Sequence, residues 1–246
     1  MSVIIRGQTT IKTKTLVNAG PVVNGLVGQW LLNGNVNDSS ASGYNGSAVG
    51  SPTYGAGVSN VTSGSIALNG TSQYVSLSAV PNNLYRTALS VGGWIRRNGA
   101  QPGDFGAIMC QGSYFAITQS DFPINFSVTA STNLLGVNLG AGGSWTAAVS
   151  VNSGAVTVPD ATWTHVFFTF LSSGSTILYI NGVQVGSASS GGITLSTPTS
   201  PWLIGYMTGN SGGAGKAYFK GSMSDMRMYN RQLTAAEVAL IAAGNG

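Results

Sequence analysis

One histidine, one cysteine and six carboxylates make up the acid–base and nucleophilic inventory of this 246-residue chain. A Ser-His-Asp or Cys-His site would have to use His165. That residue lies in the apolar run from Thr162 to Leu171, with no nucleophile elbow in the sequence. A buried or half-buried structural histidine is the expectation. Glycoside hydrolysis needs two carboxylates roughly 5–10 Å apart. The chain offers Asp38, Asp104, Asp121, Asp160, Asp225 and Glu237. Glu237 falls in a helix cap, and no two of the others stand at i, i+2 spacing on one strand. A hydrolase would need carboxylates converging from distant loops, so the chain reads as a non-enzyme.

The remaining reactive groups read as structural. Cys110, the single cysteine, excludes an internal disulfide, and its setting Ala107-Ile108-Met109-Cys110 suits a small buried hydrophobe. Asp225 is expected to pair with Arg227 or a nearby backbone amide. Gly212-Gly213-Ala214-Gly215-Lys216 imitates a phosphate loop but lacks its spacing and has no helix after it, so it is expected to be a loop between strands. Trp145 and Tyr206, read as loop residues, could stack on sugars if exposed; core packing or hairpin pairing is the competing role for each.

Composition sets the background for these residues. Hydrophobic residues make up 43% of the chain, too many for a disordered segment. Charged residues make up 7%, against about 25% in an average domain. Ser, Thr, Asn and the 36 Gly supply the polar surface instead. The net charge of +4 is scattered, with no Lys/Arg run, whereas nucleic-acid binding needs a concentrated basic stripe. No stretch approaches the ~18 apolar residues of a membrane span. Met1 to Ile5 is interrupted by Arg6 and no apolar run follows, so synthesis in the cytoplasm without a signal peptide is expected.

The elements that must position these residues are mostly strands. Gly25 to Leu32 reads as a core strand. Ser65 to Leu68 and Gln73 to Leu77 flank Asn69-Gly70-Thr71, which reads as a hairpin turn. Leu89 to Ile95 is a strand whose Gly92 and Gly93 allow a bulge or close packing. Short strands are expected near 105–110, 113–119, 124–130 and 145–151. The run from Thr162 to Leu171 puts Val166, Phe168 and Phe170 on one face and Trp163, His165 and Phe167 on the other, as in a central strand covered on both sides. Asn181-Gly182 marks a type I′ hairpin between Ile177 and Val185. Thr234 and Glu237 form a capping box, Leu233 and Val238 a hydrophobic staple, and Gly244 a stop, which defines one short C-terminal helix. The fold class is therefore all-β: a two-sheet antiparallel jelly-roll sandwich with that helix.

Residues 1–21 read differently from residues 22–246. Ile11-Lys12-Thr13-Lys14-Thr15-Leu16-Val17 favours a strand, and Asn18 to Pro21 punctuates the chain. An N-terminal arm is expected, with Ile5, Arg6, Ile11, Lys12, Lys14 and Val17 as its interaction residues, adding a strand to a neighbour's sheet edge. The alternative is an edge strand of its own domain carrying a few solubilising charges.

In order, several segments resemble the laminin-G-like, concanavalin A-like lectin/glucanase family. They are Gly25 to Trp30, Asp38-Ser39-Ser40 with Gly43 to Gly46, Ser65 to Gly70 with Tyr74-Val75, Ser90 to Ile95, Trp163 to Val166, Leu178 to Gly182, and the final strand with Leu233 to Val238. The resemblance covers roughly residues 25–243. It implies a jelly roll, glycan-binding, adhesive or structural roles, and often a rim calcium. Asp38 is then the best metal candidate, with loop carbonyls and Asn37 or Asn69. The sequence carries Asn69 where a strand-end Asp is common, and Met226 where a Glu often follows the residue matched by Asp225. Both departures lower the local negative charge, so no cofactor, or a weakly bound calcium, is expected.

Low charge, no cysteine pairs, no signal peptide and a strand-forming arm together suggest a non-enzymatic virion surface protein. A phage capsid decoration protein is the leading expectation, anchored to other virion proteins by the arm and forming a homo-oligomer, with a symmetric trimer fitting that role. A glycan-binding adhesin or tail-fibre module is the alternative, and a glucanase stands behind both. No nucleic-acid or membrane partner is expected.

Overall fold

Alternating apolar and small polar residues pair into sheets throughout the computed structural model, which describes residues 22–83, 86–111, 124–141, 147–207 and 217–244. In chain order the first described strands are β1 (Leu26–Trp30), β2 (Ser47–Val49), β3 (Thr53–Gly55), β4 (Ser65–Asn69), β5 (Tyr74–Leu77), β6 (Ala88–Arg97), β7 (Phe105–Gln111), β8 (Ile124–Thr129) and β9 (Leu134–Leu139). They are followed by β10 (Val149–Thr157), β11 (Thr164–Leu171), β12 (Ser175–Ile180), β13 (Val183–Ser189), β14 (Trp202–Ile204), β15 (Tyr206–Met207), β16 (Ala217–Tyr218) and β17 (Lys220–Tyr229). The helix α1 (Ala235–Ala242) closes the series.

Eight of the described strands form the larger sheet, in the order β13-β12-β11-β6-β17-β4-β3 with β1 also beside β17. Seven form the smaller sheet, β10-β9-β8-β7-β14-β5-β2, and β15 with β16 makes a separate ribbon. The sheets enclose one core. Ile66, Val91, Ile95, Phe168 and Met223 enter it from the larger sheet, and Val75, Ile108, Phe126, Val137 and Trp202 from the smaller. Phe126 and Phe168 meet edge-to-face across it, with ring centroids 5.2 Å apart. This is the expected jelly-roll sandwich. Among the described residues, no helix is long and apolar enough to cross a membrane.

The strand β11 is covered on both faces, as its sequence requires. Val166, Phe168 and Phe170 enter the main core. Phe167 faces the other way into a second cluster with Tyr179, Tyr229, Leu233, Val238 and Ile241, beneath α1. Beside it, Gly92 and Gly93 of β6 admit neighbours that a side chain would displace. A Cβ at Gly92 would overlap the Phe167 ring, and one at Gly93 would lie 2.6 Å from the Met226 sulfur. Opposite them β17 bulges between Ser224 and Arg227.

The C-terminal signals hold in detail. Asn181 and Gly182 have φ of 51° and 77°, the two positive values of a type I′ turn. The Thr234 amide donates to Glu237 Oε2 at 2.8 Å, and the Glu237 amide donates to Thr234 Oγ1 at 3.3 Å, closing the capping box. Leu233 and Val238 are buried, and Gly244 follows the helix with φ of 77°.

One expected hairpin is corrected. Although joined by a short turn, β4 and β5 lie in different sheets: β4 pairs with β3 and β17, and β5 with β2 and β14. The turn residues specify a reversal, but Leu68 and Leu77 reach the core from opposite sides, so the chain crosses the sandwich there. The strand expected near 145–151 is β10, which begins at Val149 and runs to Thr157. The one expected near 113–119, and the arm of residues 1–21, lie outside the described residues.

Candidate functional site

Asp38 is a loop clip. Its Oδ1 accepts from the Gln29 and Ser40 amides at 2.9 and 2.8 Å, and its Oδ2 from the Tyr44 amide and the Ser40 hydroxyl at 2.8 and 2.9 Å. Four donors tie the loop after Asp38 to β1 and occupy both oxygens. Asn69 is likewise committed to a turn, its Oδ1 accepting from the Thr71 and Ser72 amides at 2.9 and 3.0 Å. The structure keeps this pair apart. Trp30, which bridges Asp38, pairs with Met226, while Asn69 pairs with Lys220 six positions away on β17. That offset is roughly 20 Å along a strand, beyond the reach of one calcium ion. Among the described residues no three His, Cys, Asp or Glu side chains converge as a metal site.

A second polar group lies on the outer face of the larger sheet. Asp225 sits on the β17 bulge with φ of 47°. Its carboxylate accepts Nε and a terminal amino group of Arg227 at 2.9 and 2.7 Å, and Gln29 Nε2 at 2.8 Å. Burial works against the Arg227 charge, but the Asp225 carboxylate outweighs it and holds the guanidinium above its ordinary pKa. His165 is fully buried near this pair, stacked on Phe167 and edge-on to Trp94. Burial lowers its pKa to about 3, against the opposing pull of Asp225. Neither ring nitrogen of His165 has a hydrogen-bond partner among the described residues. This is the structural histidine expected from the sequence, and Asp225 makes its expected pair.

Two further carboxylates make structural contacts. Asp160 Oδ1 accepts from the Gly99 amide at 2.7 Å. Glu237 joins the helix cap and pairs with Arg231 at 2.5 Å. Cys110 is buried with Ala107, Met207 and Ala217, and burial pushes its thiol pKa up to about 12, out of nucleophilic range.

Three tyrosines form an aromatic cluster at the ribbon. Tyr206 on β15 stacks on Tyr218 of β16 at 4.3 Å and 20°, and Tyr74 on β5 lies 4.9 Å from Tyr206. All three are half-buried. The ribbon presses Met207 and Ala217 onto Ala107 and Cys110 of the smaller sheet, so alternation turns the paired Tyr206 and Tyr218 to its other side. Burial, then the neighbouring phenols of Tyr218 and Tyr74, raise the Tyr206 pKa to about 12. Tyr206 is thereby a neutral phenol at any physiological pH. Of the three, only Tyr206 stands out in the sequence, and it lies on a strand paired with β16 rather than on the expected loop. Its partners come from strands 132 and 12 positions away, and the signal was an aromatic residue at an outward-facing strand position in each.

The arm residues Ile5, Arg6, Ile11, Lys12, Lys14 and Val17 lie outside the described residues, as do Asp121, Trp145 and the segment Gly212 to Lys216.

Residues 69–239 match the family model of the concanavalin A-like lectin/glucanases superfamily. No curated protein matches the chain. Among solved structures it is similar to domain 4 of AbnA, a GH43 extracellular arabinanase from Geobacillus stearothermophilus, in complex with arabinotriose. That likeness has a TM-score of 0.66 at 18% identity and covers 88% of this chain and 98% of that domain. It is also similar to the botulinum neurotoxin serotype C1 binding domain, with a TM-score of 0.63 at 15% identity over 90% of this chain. A third likeness is to the binding domain of botulinum neurotoxin DC in complex with SialylT, at 0.62 and 14%. The chain spans about half, 52%, of each of these two toxin binding domains.

Proposed function

The chain belongs to the concanavalin A-like lectin/glucanases superfamily, and we propose that it works there as a non-catalytic, glycan-binding surface module. The observation that carries this reading is the Tyr74–Tyr206–Tyr218 cluster. Half-exposed phenols on hydrogen-bonded strands offer apolar ring faces and hydroxyl groups together, which suits the C–H faces and hydroxyls of a sugar. The arabinotriose complex of the arabinanase domain lends support from a protein of the same fold. The non-catalytic part of the proposal draws on the carboxylates: Asp38, Asp160, Asp225 and Glu237 each accept structural hydrogen bonds.

The test is a titration of the full chain with a panel of neutral oligosaccharides, arabino-oligosaccharides included. Saturable binding that Tyr206→Ala weakens, with no release of reducing ends, is the expected result. A folded chain that binds nothing on the panel overturns the proposal.

The setting we propose is a virion surface, with residues 1–21 tethering each copy to a capsid or tail protein and to its neighbours in a homo-oligomer. The composition of the arm and the low overall charge support it. Deletion of residues 1–20 should abolish particle incorporation and leave the sandwich folded; normal incorporation would remove the tether.

A further inference from the structure

We propose a second sugar subsite, specific for a carboxylate-bearing residue, on the outer face of the larger sheet with Arg96 as its anchor. Ala67, Ser222 and Arg96 stand side by side on β4, β17 and β6. Their neighbours Ile66, Leu68, Met223 and Ile95 point into the core, so alternation sends all three outward. They line a groove of about 220 Å³ together with Asn98 and Ala161. That is smaller than the ~300 Å³ at which pockets for drug-sized ligands begin, so it accommodates a single ring-sized unit. Two small side chains form its floor, which leaves room for a flat ligand against the sheet.

The chemistry of the groove is cationic and directional. Arg96 donates its Nε to the Ala161 carbonyl at 3.0 Å. That bond orients the Nε edge of the guanidinium, while its terminal amino groups have no protein partner among the described residues. A pre-oriented guanidinium edge matches the two oxygens of a carboxylate. Lys220 is exposed on the same face, two positions before Ser222. Asp160, whose backbone bridges the adjacent Arg97, has one oxygen engaged by the Gly99 amide. No described carboxylate forms an ion pair with Arg96.

This inference rests on the glycan-binding reading but on a different face from the tyrosines, so the two can fail separately. The full chain is titrated with oligogalacturonate, with the neutral galactose oligomer of equal length, and with a sulfated oligosaccharide of equal charge. Oligogalacturonate should bind about tenfold or more tighter than the neutral oligomer, and also tighter than the sulfated one. Arg96→Ala should erase that preference, Arg96→Lys should lose most of it because an ammonium is a point charge, and Tyr206→Ala with Tyr218→Ala should leave it intact. A uronate preference that survives Arg96→Ala, or equal binding of uronate and sulfate that Arg96→Lys preserves, overturns the subsite. Binding of the neutral oligomer alone overturns the subsite and leaves the glycan reading standing; binding of neither class, in a folded chain, sinks both.

Discussion

Arg227 grips the carboxylate of Asp225 with two hydrogen bonds, 2.9 and 2.7 Å long, from only two positions further along the same strand. The bulge between Ser224 and Arg227 makes this possible, because it turns Asp225 into the left-handed region and brings its carboxylate alongside the guanidinium. Both side chains are nearly buried, at 7% and 6% exposure. A buried pair of this kind adds little net stability while intact, but breaking it leaves an uncompensated charge. Asp225→Asn keeps a residue that tolerates the positive φ and removes the charge. It should cost about 3 kcal/mol, read from the urea midpoint at constant slope. Adding Arg227→Met should recover part of that loss, since the stranded cation goes with it.

The His165 ring sets a pH dependence of known sign. Its folded pKa of about 3 lies below its ordinary 6.5, so the unfolded chain takes up a proton that the folded chain refuses. The stability it contributes is fully present above pH 6.5 and is lost as pH falls toward 3. Glu237 is also depressed, to about 2 from 4.5, chiefly by the Arg231 hydrogen bond, so its contribution fades only below pH 4.5. Between pH 6.5 and 4.5 His165 therefore dominates these two, and about 2 kcal/mol should disappear over that window. Asp225 and Arg227 are the charged groups that act on the ring, Asp225 raising its pKa and Arg227 lowering it. His165→Phe removes two unpartnered nitrogens and should flatten the slope without destabilising the fold at pH 7. Denaturant titrations at pH 7, 6 and 5 distinguish the two chains; an unchanged slope in the variant would assign the dependence to another group.

The turn at Gly182 couples the hairpin to the helix. Its φ of 77° strains any β-branched residue, and a Cβ there would lie 3.0 Å from Ala239 Cα on α1. Gly182→Val should therefore cost about 2 kcal/mol or more and loosen α1 as well as the turn. Faster proteolytic cleavage within residues 235–244 would report the second effect; a destabilised chain with an equally protected helix would confine the damage to the hairpin.

These local features were legible because each is written in adjacent residues. A type I′ pair, a capping box and a doubly apolar strand need no tertiary knowledge to be read. The crossing from β4 to β5 was not legible, since Asn69-Gly70 specifies a reversal without saying which sheet receives the next strand. Asp38 illustrates a different limit. A carboxylate in a Ser- and Gly-rich loop has the composition of a metal ligand and of a backbone clip alike, and the four amide and hydroxyl donors that make Asp38 a clip are set by the folded loop rather than by composition. The tyrosine cluster required two long-range pairings that no local pattern encodes, Tyr206 with Tyr218 across the ribbon and Tyr74 from the neighbouring sheet.

That cluster yields a prediction that separates stacking from hydrogen bonding. Tyr206→Phe keeps the ring and removes the hydroxyl, whereas Tyr206→Ala removes both. If sugars stack on the ring, the Phe variant should keep its affinity within about threefold, and the Ala variant should lose about tenfold, in line with ~1 kcal/mol or slightly more for an aromatic contact. Tyr218→Ala should behave like Tyr206→Ala, because its loss frees the remaining ring from the 4.3 Å stack that orients it. Both Ala variants should also lose some stability, so affinity is measured well below their melting temperatures. Equal losses for Phe and Ala at position 206 would transfer the role from the ring to the hydroxyl. Wild-type affinity in all three would move the sugar site away from the ribbon altogether.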